Sequence, residues 1–201
     1  METYTVAEAV ARIGVLAQRD TTVPFLLGMV GPPGAGKSTF VEQLAAPILP
    51  MDGYHFANEH LDRLGLRSRK GAPDTFDAAG FASTLRRLRS GETVVAPRFD
   101  RDLDASIAGS ILLPGDAPLI VTEGNYLLHD QDGWGAIRPL LDEVWYLDID
   151  DDLRRDRLIA RHRRYGRSAT DAARWVADVD EPNAVLIRTT RDRADAVVTA
   201  T

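Results

Sequence analysis

Residues 25–40 read FLLGMVGPPGAGKSTF, and this stretch decides the fold. Phe25–Val30 is an apolar run of strand length without polar alternation, the pattern of a strand buried on both faces. It runs into a complete match to G-x-x-x-x-G-K-[ST] at residues 31–38, and Lys37–Ala46 reads as helix. Glycines in such a turn let successive backbone N–H groups point inward, and the helix start adds partial positive charge. The stretch predicts a triphosphate cradle built from Gly31, Pro32, Pro33, Gly34, Ala35, Gly36, Lys37, Ser38 and Thr39. Lys37 is expected to reach the β- and γ-phosphates, and Ser38 to ligate Mg²⁺.

Outward from the cradle, apolar blocks alternate with helical periodicity. Ile48–Met51, Thr93–Ala96, Leu119–Thr122, Glu143–Ile149 and Ala194–Val198 read as strands. Thr5 and Glu8 form a capping-box pattern ahead of Val6, Val10, Ile13 and Leu16 at helical spacing. Further helices are predicted over Asp74–Arg89, Asp151–Tyr165 and Ala169–Thr189. Strands separated by helices imply parallel pairing and right-handed crossovers. The expected fold is a three-layer α/β/α sandwich with a mainly parallel sheet of about five strands, forming one domain over residues 1–201. In such sheets ligands bind at the carboxyl ends of the strands.

Composition narrows the partners. The 201 residues carry a formal net charge of −6, which argues against nucleic acid or an anionic membrane surface as the main partner. No apolar run approaches the ~18–20 residues that span a bilayer. The chain has no cysteine, so there is no disulfide framework and no thiolate chemistry. Together with an N-terminus lacking a basic region ahead of an apolar block, this leads to the expectation of a cytoplasmic protein. Only two of the 24 basic residues are lysines, Lys37 and Lys70, which marks both as positions where a compact ammonium is retained.

Two strand ends and one helical segment carry candidate chemistry. Asp52, in ILPMDGYHF, stands before a glycine and could make a turn. The residues after it do not return as an alternating strand, so a hairpin is disfavoured. A carboxylate there can instead accept the proton of an attacking hydroxyl. Glu123 ends PLIVTEG, either as a solvated strand-end acid or as a group holding Mg²⁺ water or a hydroxyl. Residues 154–167 hold seven arginines, with Arg154, Arg157, Arg161 and Arg164 on one helical face. They read as a solvated face or as a lid, at about residues 151–170, that closes over a triphosphate. Arg157 and Arg161 are the leading lid candidates. The absence of Asn-Lys-x-Asp and the short chain favour a small kinase over a GTPase or a motor.

In order along the chain, GPPGAGKST, PMDGYHF, RKGAPDTFD, APRFDRDLD, VTEGNYLL and RLIARHRRYGRS resemble the P-loop metabolite kinases of the phosphoribulokinase, uridine kinase and bacterial pantothenate kinase superfamily. The likeness covers the chain from Pro24 on. It is greatest to small bacterial members labelled nucleoside kinase-like, pantothenate kinase-like or fructose-transport-associated. It implies a P-loop NTPase fold, ATP and Mg²⁺ as cofactors, and Asp52 as catalytic base assisted by Lys37, Arg157 and Arg161. It further implies Ser38 and Glu123 at the metal, and Tyr54, His55, Lys70, Asp74, Arg98, Asp100 and Asn125 at the acceptor. The implied acceptor is a small hydroxyl compound: a nucleoside such as uridine, pantothenate, or a sugar. Dimers are common among such relatives. Asp74 reads equally as a helix N-cap, and Arg98 with Asp100 as a surface charge cluster. Phe99 replaces a tyrosine common in the family, and acids stand where a histidine often follows, which leaves the acceptor open. Two rival functions remain: a nucleoside monophosphate kinase using Arg63, Arg67 and Arg69, and a non-enzymatic ATP-binding regulatory module.

Overall fold

The computed structural model describes residues 1–200. Its strands are β1 (Glu2–Thr5), β2 (Phe25–Val30), β3 (Ile48–Pro50), β4 (Val94–Asp100), β5 (Ala105–Leu113), β6 (Leu119–Gly124), β7 (Glu143–Ile149) and β8 (Ala196–Ala200). Its α-helices are α1 (Val6–Leu16), α2 (Lys37–Val41), α3 (Asn58–Leu64), α4 (Ala78–Arg89), α5 (Asp151–Arg164), α6 (Ala169–Trp175) and α7 (Glu181–Arg188). Six strands form one sheet in the order β1-β8-β7-β2-β6-β3, and every pair in it is parallel. Strand alternation divides the core in two. Leu26 and Val30 of β2 face Phe81, Leu85 and Leu88 of α4 and Ile187 of α7. Leu27 and Met29 face Ala9, Ile13 and Leu16 of α1 and Phe40 of α2. No helix among the described residues is long and apolar enough to cross a membrane.

Several elements differ from the reading of the sequence. The sheet has six strands because Glu2–Thr5 adds an edge to β8, a segment too short and too exposed to show a period. The block at Thr93–Ala96 does not join this sheet. It begins β4, which pairs antiparallel with β5 in a separate ribbon. Helix α2 is shorter than expected, and turns replace it through Ala46. Asp74 does not cap α4. Residues Pro73–Thr75 make a 3₁₀ turn, Arg69 Nη2 donates to Asp74 Oδ1 at 2.6 Å, and Asp77 is the cap, accepting from Gly80 N at 2.8 Å. The stretch from Ala169 to Thr189 is interrupted by a π-turn over Val176–Asp180 before Pro182, whose missing N–H breaks the regular ladder.

The seat of α5 positions the site. Arg154 is wholly buried. Its Nε donates to Asp151 Oδ1 at 2.9 Å, Nη1 to the Pro33 carbonyl at 3.4 Å, and Nη2 to Glu181. Arg155 Nε at 3.3 Å and Arg188 Nη2 at 3.1 Å complete the cluster on Glu181. Arg154 therefore belongs to the scaffold and not to a free arginine face. Gly34, at φ +82°, leaves α5 room: a Cβ there would lie 2.7 Å from Leu158 Cγ and 2.8 Å from the Arg154 carbonyl.

Two outcomes follow for stability. Burial pushes Glu181 up, but the hydrogen bonds from Arg154, Arg188 and Arg155 outweigh it and hold the carboxyl down to about 2. A depressed pKa stabilises the fold above the ordinary carboxyl range and loses that contribution as pH falls through the folded value. Glu181→Gln should therefore cost about 3 kcal/mol at neutral pH. In thermal melts its difference from wild type should shrink below about pH 4.5 and close near pH 2. Gly34→Ala should lower the melting temperature more than Gly36→Ala. Both positions have positive φ, but a Cβ on Gly36 meets only Arg157 Nη1, at 3.4 Å.

Candidate active site

The turn after β2 is fixed by its own backbone. Ala35 N donates to the Pro32 carbonyl at 3.1 Å, and Gly34 and Gly36 take the left-handed conformation. Lys37 folds back under the loop, donating from Nζ to the Gly31 carbonyl at 2.8 Å, the Pro32 carbonyl at 3.1 Å and Asn125 Oδ1 at 2.7 Å. Burial lowers its pKa to about 8, against the opposing pull of Glu123 and Asp52. Three neutral acceptors thus hold an ammonium with little hydration, ready to be exchanged for phosphate oxygens.

The carboxyl ends of β3 and β6 bring two acids to the same cavity. Ser38 Oγ donates to Glu123 Oε1 at 3.1 Å. Two hard oxygen ligands fit Mg²⁺, which takes one or two protein oxygens and completes its shell with water and phosphate. Among the described residues no three His, Cys, Asp or Glu cluster to make an all-protein metal cage. Burial and the nearby charge of Asp52 raise the pKa of Glu123. Asp52, in the 3₁₀ turn Met51–Tyr54, is pulled the other way. Burial pushes it up, and His55 when charged, then Arg101, Arg161 and Lys37, more than offset this. Burial lowers the pKa of His55, so Arg101 is the persistent neighbour, with Nη2 donating to Asp52 Oδ2 at 2.9 Å. His55 Nδ1 is 2.7 Å from the Asp52 carbonyl, which can only accept, so this nitrogen carries the proton. The imidazole lies between Phe76 and Phe99, with ring centroids at 4.0 and 4.5 Å.

The cavity these groups line has a volume of about 820 Å³. Of the residues expected at the site, Pro33, Gly34, Gly36, Lys37, Ser38, Thr39, Asp52, His55, Lys70, Glu123, Asn125, Arg157 and Arg161 all line it. Gly31, Pro32 and Ala35 form the underside of the turn. Four acceptor candidates lie elsewhere. Tyr54 is buried against Phe81 and donates to Thr84 Oγ1 at 2.7 Å. Arg98 pairs with Asp100 at 3.0 Å, and Asp100 Oδ1 accepts the N–H groups of Asp102 and Leu103. Asp74 is held by Arg69. Of the arginines considered for a second phosphate, Arg67 alone lines the cavity. Arg63 donates to the Glu59 carbonyl, Arg69 to Asp74, and Arg67 to Asp104.

The structure adds groups that the sequence reading passed over. Phe99 and Arg101 line the cavity in place of Arg98 and Asp100, and Asp104 holds Lys70 at 2.9 Å. At the far wall stands His162, its side chain 17% exposed. It pairs with Asp180 at 2.7 Å, joining α5 to the π-turn, and Arg167 stacks on Trp175 at 3.9 Å. Arg157 and Arg161 have no carboxylate within 4 Å among the described residues.

Comparison with known proteins agrees with this geometry. Residues 26–201 match the profile of the Phosphoribulokinase / Uridine kinase family. The uncharacterised Escherichia coli protein YggC is 34% identical over 191 residues, covering 90% of this chain and 78% of its own. The Schizosaccharomyces pombe "putative uridine kinase C227.14" is 33% identical, covering 73% and 69%. The crystal structure of a "putative fructose transport system kinase" from Silicibacter sp. TM1040 superposes with a TM-score of 0.87 at 33% identity, covering 96% of this chain and 98% of its own. With residues 26–201 matched by that profile and relatives at 33–34% identity, the chain belongs to the phosphoribulokinase/uridine kinase family of P-loop kinases.

Proposed function

We propose that the protein is an ATP-dependent kinase that transfers the γ-phosphoryl group to a hydroxyl of a small metabolite, with Mg²⁺ as cofactor. The observation carrying this reading is one cavity lined by Lys37, the Ser38–Glu123 pair, Asp52 and two arginines without carboxylate partners. Ser38 and Glu123 would hold Mg²⁺, which when bound neutralises phosphate charge. Lys37 would leave its loop carbonyls for the phosphates. Asp52 would accept the hydroxyl proton as the oxygen attacks phosphorus. Arg157 and Arg161, on an arginine-rich helix acting as a lid, would balance charge that spreads over the equatorial oxygens.

An ionised carboxylate beside the cradle favours a hydroxyl acceptor over a phosphate acceptor, because a nucleoside monophosphate already presents a deprotonated oxygen and needs no base. Of Arg63, Arg67 and Arg69 only Arg67 lines the cavity, where it is paired with Asp104, which supports the same choice. Names among the relatives span uridine kinase, pantothenate kinase and a putative fructose transport system kinase, so the acceptors to consider are nucleosides, pantothenate and sugars. A regulatory module without chemistry would have no use for a base, a metal pair and a lid retained together.

The test is ADP release across nucleosides, pantothenate and sugars, comparing wild type with Asp52→Asn. The variant should bind MgATP with wild-type affinity and lose about 10²–10⁴-fold in turnover. Wild-type turnover in Asp52→Asn would falsify the role of the base.

A further inference from the structure

Charge in the cavity is out of balance in an informative way. The whole chain is acidic, yet among the described residues seven lysines and arginines line the cavity against four carboxylates. The Mg²⁺ complex of a triphosphate brings a net charge of about −2, so the filled donor side still leaves positive charge facing the acceptor.

The acceptor end shows where that charge is available. Lys70 is locked: it is 9% exposed and donates to Asn58 Oδ1 at 2.7 Å, the Asp104 carbonyl at 2.8 Å and Asp104 Oδ1 at 2.9 Å. Arg67 shares Asp104. Arg101 is different. Its one carboxylate within 4 Å among the described residues is Asp52. Its side chain is 39% exposed and meets Asp52 through a single contact, so an anion that takes the guanidinium with two oxygens can compete for it. Arg101 lies in the turn between β4 and β5, where its side chain can swing without moving the sheet. Arg161 stands close enough that burial and then the charge of Arg101 push its guanidinium below the ordinary value, so the two arginines repel across the cavity.

We propose that Arg101 reads the acceptor: parked on Asp52 in the free enzyme, it swings onto a carboxylate or phosphate carried by the acceptor and thereby uncovers Asp52 for the reacting hydroxyl. The acceptor class is thus an anionic hydroxyl compound. The step balances. The acceptor oxygen forms a bond to the γ-phosphorus, the bond from that phosphorus to the bridging oxygen breaks, ADP leaves with the electron pair, and the hydroxyl proton passes to the Asp52 carboxylate. An empty acceptor site keeps the base covered, which also limits transfer to water. This inference rests on the phosphotransferase reading above.

The experiment pairs hydroxy acids and sugar phosphates with their neutral counterparts as acceptors for the full chain with MgATP, using wild type, Arg101→Met and Arg101→Lys. Wild type should favour the charged member of a pair by about 30-fold or more in kcat/KM. Arg101→Met should abolish that preference through loss on the charged acceptors, while turnover of neutral acceptors and of ATP with water stays level or rises because Asp52 is uncovered, and Arg101→Lys should restore part of the preference. Carboxylate and phosphate series run separately show which anion is read. Binding of the same pairs to the complex with a non-hydrolysable ATP analogue gives the preference without turnover. A preference there that Arg101→Met removes supports the assignment even if no phosphoryl group moves, a result that would count against the transfer reading alone. Equal binding of charged and neutral members, or no binding of either, overturns it. So does an equal loss on both in Arg101→Met, which would assign Arg101 to the triphosphate.

Discussion

Arg154 has no exposure, and its guanidinium meets three parts of the molecule at once: a cradle carbonyl, the first turn of its own helix, and the acid that opens α7. An unpaired buried guanidinium would be prohibitively costly, so these three parts are held in one arrangement. The arginine-rich helix is thus pinned at its first turn beside the phosphate loop, while Arg157 and Arg161 extend over the cavity from the following turns. The same helix supplies both a fixed base and an adaptable arm. The difference between them is whether an acid stands opposite.

That distinction applies throughout the cavity. Cations with several short contacts, such as Lys70 on Asp104 and Asn58, shape the wall. Lys37, on three neutral oxygens, and Arg101, on one carboxylate oxygen, have fewer charged contacts than Arg154. A protein with net charge −6 can concentrate positive potential in one crevice because its surplus carboxylates lie elsewhere.

What the sequence disclosed follows the range of the forces involved. The cradle, Asp52 and Glu123 were legible because each is a local event at the end of a buried strand, with parity and topology fixed by neighbours a few residues away. Arg98 and Asp100, which the resemblance put at the acceptor and the residues alone left open as a surface charge cluster, lie outside the cavity for a register reason. Simple alternation puts them on the side of buried Ala96, but the ribbon shifts register between Ala96 and Arg98, so that Phe99 and Arg101 line the cavity instead. Tyr54 was misread because its hydroxyl finds Thr84, thirty residues away, which no local pattern encodes. Asp104, whose positive φ turns its acid toward Lys70, and the pairing of His162 with Asp180 depend likewise on tertiary placement.

The outermost pairing of the sheet, Glu2 with Ala196, joins segments at opposite extremes of the described chain. Closing so long a loop carries a large entropy penalty that grows only logarithmically with length, yet it cannot be met until β8 has been made. During synthesis α1 therefore has a locally satisfied start, through its capping box, and no finished surface for Ile13 and Leu16. Until β8 is in place, β1 has no strand to pair with, and Ile13 and Leu16 lack Ala196 and Val198 as packing partners.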